Sequence, residues 1–241
     1  MAFFHEGSAR QPVFNVPASV PGLIAALLLA HAIRAFASPE MSDQIILMFG
    51  FIPARYAGGL LNGGALAQLL PFVSYMFVHG EWGHVTVNCL WLFAFGPAVA
   101  RRLGWLRFYI FFLFCGVTAA VAHLLAYPGS DMPAVGASGA VAGLMAAGIR
   151  ILYGPRYVPP SSLREEDATA PPAGLAPIWS RPVLLFTAMW VLINILGGIT
   201  GIGVPVSGPV VVAWVAHLGG YFAGLLFLDV FDALGFRRRV R

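Results

Sequence analysis

Long apolar segments separated by shorter polar connections recur along the chain. Six segments are predicted as membrane-spanning helices: residues 17–36, 84–100, 108–127, 138–153, 182–200 and 209–231. A helix needs roughly 20 apolar residues to cross a hydrocarbon core of about 30 Å. The composition agrees, because 59% hydrophobic and 10% charged residues exclude a soluble globular domain of ordinary type. The sequence therefore predicts an all-α polytopic membrane protein.

The domain boundaries follow from these spans. We expect one membrane domain over residues 17–232, an N-terminal tail over residues 1–16 and a basic tail over residues 233–241. The beginning of the chain lacks the charged, apolar and small-residue order of a cleavable signal. The first span is therefore expected to remain in the protein.

Two connections are longer than the others. The first, residues 37–80, contains the apolar stretch "LLNGGALAQLLPFVSYMFV". Asn62, Gln68 and Pro71 interrupt this stretch, which predicts a partly embedded external loop and not a seventh span. The other, residues 154–181, is rich in proline and charge and is predicted as a mobile linker.

The positive charges predict the orientation in the membrane. All 14 basic residues are arginines. Twelve of them lie in the tails or in or beside the connections after the second and fourth spans, and only Arg34 and Arg55 lie elsewhere. Because positive residues concentrate on the cytoplasmic side, both termini are expected in the cytoplasm. The basic tail indicates topology and contact with membrane lipids, and no nucleic acid partner is expected. The absence of organellar transit features favours a bacterial inner (plasma) membrane.

Few polar side chains fall inside the predicted spans, where each needs a partner. They are His84, Asn88, Ser138, Asn194 and His217. In the predicted topology the second, fourth and sixth spans run inward, so all of these residues except Asn194 occupy the outer leaflet. At 1.5 Å per residue, His217 lies roughly 12 Å below the outer face. The outer leaflet is therefore the candidate location of a functional site.

Ser138 is predicted to lie inside the membrane. The helix from Ser138 to Arg150 is roughly 18 Å long, whereas the hydrocarbon core is about 30 Å thick. If Arg150 marks the inner boundary, Ser138 lies about 10 Å below the outer one. The preceding "YPGSDMPAVGA" must then enter the membrane as non-helical chain packed against protein or water.

The remaining polar groups receive structural interpretations. Asn194 has no evident partner and is predicted to hydrogen-bond between helices. His79 is predicted at the interface, where it contacts lipid or anchors the loop. His31, Arg34 and His123 lie close enough to span ends to reach the interface.

The two cysteines, Cys89 and Cys115, lie in different predicted spans and lack the spacing of metal ligands. They are predicted as packing residues without a disulfide or a metal. No phosphate-binding glycine loop is found, so nucleotide binding has no support.

Ser138 and His217 suit acyl-transfer chemistry, because a neutral histidine can remove the proton of a serine nucleophile. His84 and Asn88 are four residues apart on one helix face, and with the Ser138 amide they are candidate donors to an oxyanion. The alternative is structural. The small residues from Gly136 to Gly143 favour close helix packing, and the polar groups can hydrogen-bond between helices.

The motifs around these residues resemble those of the rhomboid family of intramembrane serine proteases. They are "HGEWGHVTVN" at the start of the second span, "GASG" around Ser138, and "AHLGGYFAG" around His217. The resemblance implies a six-transmembrane-helix rhomboid-like bundle with Ser138 as nucleophile and His217 as general base and then acid. It also implies His84, Asn88 and the Ser138 amide as the oxyanion site, without a metal or cofactor.

The resemblance further implies substrates that are transmembrane helices, cut near their outer end after entering beside the fifth span. Gly220 and Gly224 present small faces one turn apart that would bring the sixth helix to the fourth. Gly136 and Gly139, on either side of the serine, are expected to support the site.

Two positions depart from the family pattern. Many members carry an aromatic residue four positions after the serine, stacked on the histidine, and here that residue is Ala142. Tyr221 or an aromatic residue of another helix is expected to support His217 instead. The Trp-Arg pair of the first external loop is also absent, since the corresponding stretch reads "QLLPFVSYMF".

Three functions are compatible with the sequence. The main prediction is an intramembrane serine endopeptidase. The second is a rhomboid-like protein that binds or chaperones membrane proteins without cutting them, which the residue at Ala142 favours. The third is a small-molecule transporter, which is disfavoured because the inner half of the predicted spans is nearly all apolar.

Overall fold

The computed structural model describes residues 16–58, 64–155, 174–200 and 214–239, with side chains as far as Leu234. The α-helices are α1 (Ser19–Ala35), α2 (Pro39–Phe49), α3 (Ala65–Leu69), α4 (Pro71–Ser74), α5 (Trp82–Leu103), α6 (Trp105–Ala126), α7 (Ser138–Leu152), α8 (Arg181–Thr200) and α9 (Trp214–Arg239). Short 3-10 helices cover Pro53–Tyr56 and Tyr75–Phe77. The predicted all-α polytopic fold is confirmed.

Each predicted span coincides with one of the longer helices: α1, α5, α6, α7, α8 and α9. By length and composition, α5, α6, α8 and residues Trp214–Leu234 of α9 can cross a membrane. Helices α1 and α7 are shorter apolar helices, so the count of six spans stays a prediction. Residues 209–213 of the last predicted span and 156–173 of the predicted linker lie outside the described residues.

Helix α7 lies at the centre of the bundle. Every residue from Gly139 to Arg150 is buried, and α7 packs against α5, α6 and α9. Its 15 residues give a length of about 22 Å, which is less than the thickness of a hydrocarbon core. A short helix is tolerated here because protein surrounds it and supplies partners for the polar chain that precedes it.

Helices α7 and α9 touch along their backbones. The Cβ of an alanine at Gly220 would overlap the carbonyl group of Gly139, and one at Gly224 would overlap that of Gly143. Without a hydrophobic driving force between helices in lipid, such close van der Waals contact holds a bundle together. The structure shows the predicted close approach of the last helix to α7 at Gly220 and Gly224.

Two ion pairs join α9 to neighbouring helices at the end of α7 opposite Ser138. Arg150 donates to both carboxylate oxygens of Asp229, at 2.6 and 3.1 Å. Arg102 does the same with Asp232, at 2.9 and 2.7 Å. Two of the arginines counted for orientation therefore also form bidentate contacts within the bundle.

Helix α8 is the least packed of the long helices. Val183, near its beginning, is the one fully buried residue of α8. Val183 belongs to a small apolar cluster with residues of α7 and α9, against which Phe186 and Trp190 also pack. Most of the remaining surface of α8 is thus available to lipid or to another helix.

The first connection packs onto the bundle, as predicted for a partly embedded loop. Phe72, Tyr75 and Met76 are buried, and the Tyr75 hydroxyl donates to the carbonyl of Gly116 on α6 at 2.8 Å. Ser74 donates to the carbonyl of Phe49 at 2.8 Å, which ties the connection to the end of α2. These contacts anchor the loop in a chain without the Trp-Arg pair.

Candidate active site

Ser138 is the first residue of α7, and the chain before it is non-helical, as predicted. Phe51 and Ala134 exchange two backbone hydrogen bonds of 2.9 and 2.8 Å. The amide of Gly136 donates to the carbonyl of Tyr75 at 2.9 Å. The first connection therefore supplies the partners that this segment needs within a membrane.

His79 holds the last residue before the serine. Its Nε2 accepts the amide hydrogen of Ala137 at 3.3 Å. Burial, and then the proximity of His84 and His31, lowers the pKa of His79 to about 3, so its ring is neutral at ordinary pH and can accept. The side chain of His79 is fully buried, which excludes the predicted contact with lipid. The hydrogen bond to Ala137 agrees with its other predicted role, which is to anchor the loop.

Gly136 permits close contact between the turn and α5. Its φ is +113°, and an added Cβ would lie 2.6 Å from Nε2 of His84. Only glycine combines such a φ with this proximity. Gly136 therefore lets the ring of His84 lie against the backbone two residues before Ser138.

The serine and histidine lie within hydrogen-bond distance. Nε2 of His217 is 2.7 Å from Oγ of Ser138. The two residues are 79 positions apart in the sequence. The contact between Gly220 on α9 and Gly139 on α7 brings them together, since each glycine is within one turn of its site residue.

The other nitrogen of His217 contacts α8. Its Nδ1 is 2.9 Å from Oδ1 of Asn194, and Nδ2 of Asn194 donates to the carbonyl of Trp190 at 2.9 Å. The Trp190 carbonyl can only accept, which places the NH2 group of Asn194 on that side and its oxygen toward the histidine. The predicted interhelical hydrogen bond of Asn194 thus has His217 as its partner.

Tyr221, which was expected to support the histidine, faces α8. Its ring stacks on Trp190 with centroids 4.3 Å apart, and its hydroxyl shares a 2.8 Å hydrogen bond with Thr187. The contact at Nδ1 of His217 comes from the amide of Asn194 and not from an aromatic ring. Tyr221 instead joins α9 to α8 through these two contacts.

His84 and Asn88 lie on the α5 side of the site. The side chain of Asn88 is buried, and its Nδ2 donates to the carbonyl of His84 at 2.9 Å. The ring of His84 contacts that of His79 edge-on, with centroids 5.1 Å apart. Helix α7 has no side-chain cap hydrogen bond at its N-terminus, where the first amides of a helix have no partner within the helix.

Other polar residues are more enclosed than the sequence suggested. His31 and His123 are buried within the protein, so neither side chain extends to its surface. Nδ1 of His31 donates to the carbonyl of His79 at 3.2 Å, and Arg34 donates to the carbonyl of Gly80 and to Ser42. These contacts fix the turn that carries His79.

The cysteines are free thiols, as predicted for packing residues. Cys115 is buried, and its side chain lies against Gly143 of α7. Cys89 on α5 is half-buried.

Comparison with known proteins agrees with this architecture. The rhomboid domain family matches residues 66–231, a range that contains Ser138, His217 and Asn194. The chain is also similar to Rhomboid-like protein 11, chloroplastic, of Arabidopsis thaliana, with 36% identity over 80 residues. That match covers 33% of this chain and 28% of the relative. Since the family match extends over most of the chain, the protein belongs to the rhomboid family, a family of intramembrane serine proteases.

Proposed function

We propose that this protein is an intramembrane serine endopeptidase in which Ser138 attacks the substrate and His217 transfers the protons. The observation that carries the proposal is the 2.7 Å contact between Oγ of Ser138 and Nε2 of His217, made between two helices of the bundle. A serine becomes an effective nucleophile when a base lies within such reach.

The contacts support a two-step mechanism through an acyl-enzyme. Nε2 of His217 takes the hydroxyl proton while Oγ of Ser138 bonds to the scissile carbonyl carbon. The tetrahedral intermediate expels the amine, which receives the proton from His217. Water then loses a proton to His217 and attacks the ester, and Ser138 recovers its proton as the acid product leaves.

The negative oxygen of the intermediate needs donors that are already in place. The backbone amide of Ser138 lies at the uncapped N-terminus of α7, where the helix dipole favours negative charge. The ring of His84 lies against the same turn at Gly136. Asn88, one turn along α5, is the third proposed donor, and it would exchange its bond to the His84 carbonyl for the oxyanion.

We further propose that the substrates are transmembrane proteins cut near the outer membrane face. The lightly packed helix α8 offers a side through which a substrate helix can approach the site from the lipid. Since an intact helix shields its carbonyl groups, small or helix-breaking residues near the cut lower the cost of local unwinding.

The proposed placement is a bacterial inner membrane with both tails, residues 1–16 and 233–241, in the cytoplasm and residues 17–232 in the membrane. The arginine distribution supports this orientation. It puts Ser138 in the outer half of the bilayer.

Labelling with a fluorophosphonate probe tests the proposal directly. Detergent-solubilised wild type should form a covalent adduct, whereas Ser138→Ala and His217→Ala should not. Ser74→Ala, which removes a hydroxyl outside the site, is the matched control and should label normally. Persistent labelling of Ser138→Ala would contradict the proposal. Folded wild type that neither labels nor cleaves, yet co-purifies with membrane proteins, would support the non-cleaving alternative that Ala142 favours.

Cleavage should decline as the medium becomes acidic. The imidazolium form of His217 cannot accept the Ser138 proton, so the rate follows the neutral fraction of this histidine. Initial cleavage rates measured at successively lower pH should therefore fall as His217 becomes protonated. Returning the acid-treated enzyme to neutral pH should restore the rate, which separates titration from unfolding. A rate that stays constant down to the pH at which the enzyme unfolds would argue against His217 as the base.

A further inference from the structure

We propose that Asn194 is a positioning residue for His217. The site is then a Ser138–His217–Asn194 triad with one residue on each of three helices. The inference rests on the proposed protease function and adds a residue of α8 to it. Asn194 accepts the Nδ1 hydrogen of His217 and holds the imidazole in the tautomer whose bare Nε2 faces Ser138.

The partners of Asn194 determine which atom donates and which accepts in each hydrogen bond of this triad. The Trp190 carbonyl accepts from Nδ2 of Asn194, which directs Oδ1 of Asn194 toward His217. An amide oxygen has no hydrogen to give, so Nδ1 of His217 must be the protonated nitrogen. Nε2 is then the acceptor of the Ser138 hydroxyl at 2.7 Å. This is the tautomer that a general base requires.

An amide suits this position better than a carboxylate. An ionised side chain within a membrane is costly unless it is paired, and a neutral amide orients the ring without that cost. The family's usual aromatic support is absent at Ala142, which is buried in the apolar cluster containing Tyr221. The residue that supports His217 is therefore Asn194 of α8.

Thr187, Trp190 and Asn194 of α8 contact α9, and their spacing puts them on one helix face. Thr187 and Trp190 contact Tyr221, and only Asn194 of these three bonds to His217. Because α8 is otherwise lightly packed, its displacement from α9 would lengthen the Asn194–His217 bond. The orientation of the histidine is thus tied to the position of α8.

Three variants separate positioning from simple helix packing. Asn194→Leu keeps the size but removes the acceptor, and kcat should fall by about 10² with KM changed less than about twofold. Asn194→Asp, as a neutral acid, can donate to Trp190 and accept from His217, and should recover most of the rate. Thr187→Val removes a hydrogen bond between the same two helices and should leave kcat near that of wild type. Equal losses in Asn194→Leu and Thr187→Val would overturn the inference.

A spectroscopic readout tests Asn194 whether or not the protein cleaves. In protein labelled with 15N at histidine, the signal that disappears in His217→Gln should show a protonated Nδ1 in wild type at neutral pH. In Asn194→Leu the proton should move toward Nε2. An unchanged tautomer in this variant, with the fold intact by thermal unfolding, would overturn the inference. Failure of the protease proposal would appear separately, as absent labelling of wild type.

Discussion

Replacing Ser138 by alanine should abolish cleavage of a transmembrane substrate in proteoliposomes, with a loss of at least about 10³-fold. The variant retains His217, the α7 amides and the bundle, so it can still bind substrate. It lacks the atom that forms the acyl-enzyme.

The Ser138→Ala variant should remain folded, because its side-chain hydrogen bond joins only the site residues. Its thermal unfolding temperature should lie close to that of wild type, and Ser74→Ala again serves as a control with intact activity. Cleavage at the wild-type rate by folded Ser138→Ala would reject the serine mechanism. Loss of cleavage together with unchanged capture of the substrate would support it.

The sequence allowed the helices and the central pair of the site to be predicted for a physical reason. A polar side chain in a long apolar segment is conspicuous, because hydrocarbon offers it no partner. Ser138 and His217 stand out in this way, and the predicted order of the spans puts them in one leaflet. The small residues at Gly220 and Gly224 then indicated which helices could approach closely enough to join the pair.

The partners of Asn194 and His79 could not be predicted in the same way. Asn194 was visible as a polar residue, but nothing in the local pattern indicates which helix it faces. The contact with His217 depends on the rotation of α8, which packing against Tyr221 determines. His79 lies in a connection that could be interfacial or enclosed. Its burial depends on how α1 and the turn before α7 close over it.

Two of the arginines have both a predicted role in membrane orientation and a structural role in ion pairs within the bundle. Arg102 and Arg150 were counted for membrane orientation, and the structure pairs them with Asp232 and Asp229 of α9. Arg150 also donates to the carbonyls of Ala176 and Leu225, so it joins three segments. Charge counting predicts the first role. The second requires the packing of α9 against α5 and α7.

Replacing Gly220 by alanine should separate α7 from α9 and damage both stability and catalysis. The new Cβ would overlap the carbonyl and Cα of Gly139, which are backbone atoms that cannot rotate away. Overpacking of this kind costs typically about 1–3 kcal/mol. The new Cβ would lie 2.0 Å from the carbonyl oxygen of Gly139, so the helices must separate by about an ångström. His217 is less than one turn away on the same helix. We expect a lower thermal unfolding temperature and at least tenfold slower fluorophosphonate labelling, roughly the effect of about 1.4 kcal/mol on the barrier.

Two matched substitutions show whether the effect comes from the contact. Gly129→Ala adds a methyl group where nothing lies within 4 Å and should behave as wild type. Gly224→Ala creates the same kind of overlap with Gly143, one turn farther from the serine. It should lower stability comparably but slow labelling less, because the displacement is centred away from Ser138 and His217. Wild-type stability and labelling in Gly220→Ala would show that the backbone contact does not set the distance between the serine and the histidine. A loss confined to stability would show that α9 can shift without moving His217 from Ser138.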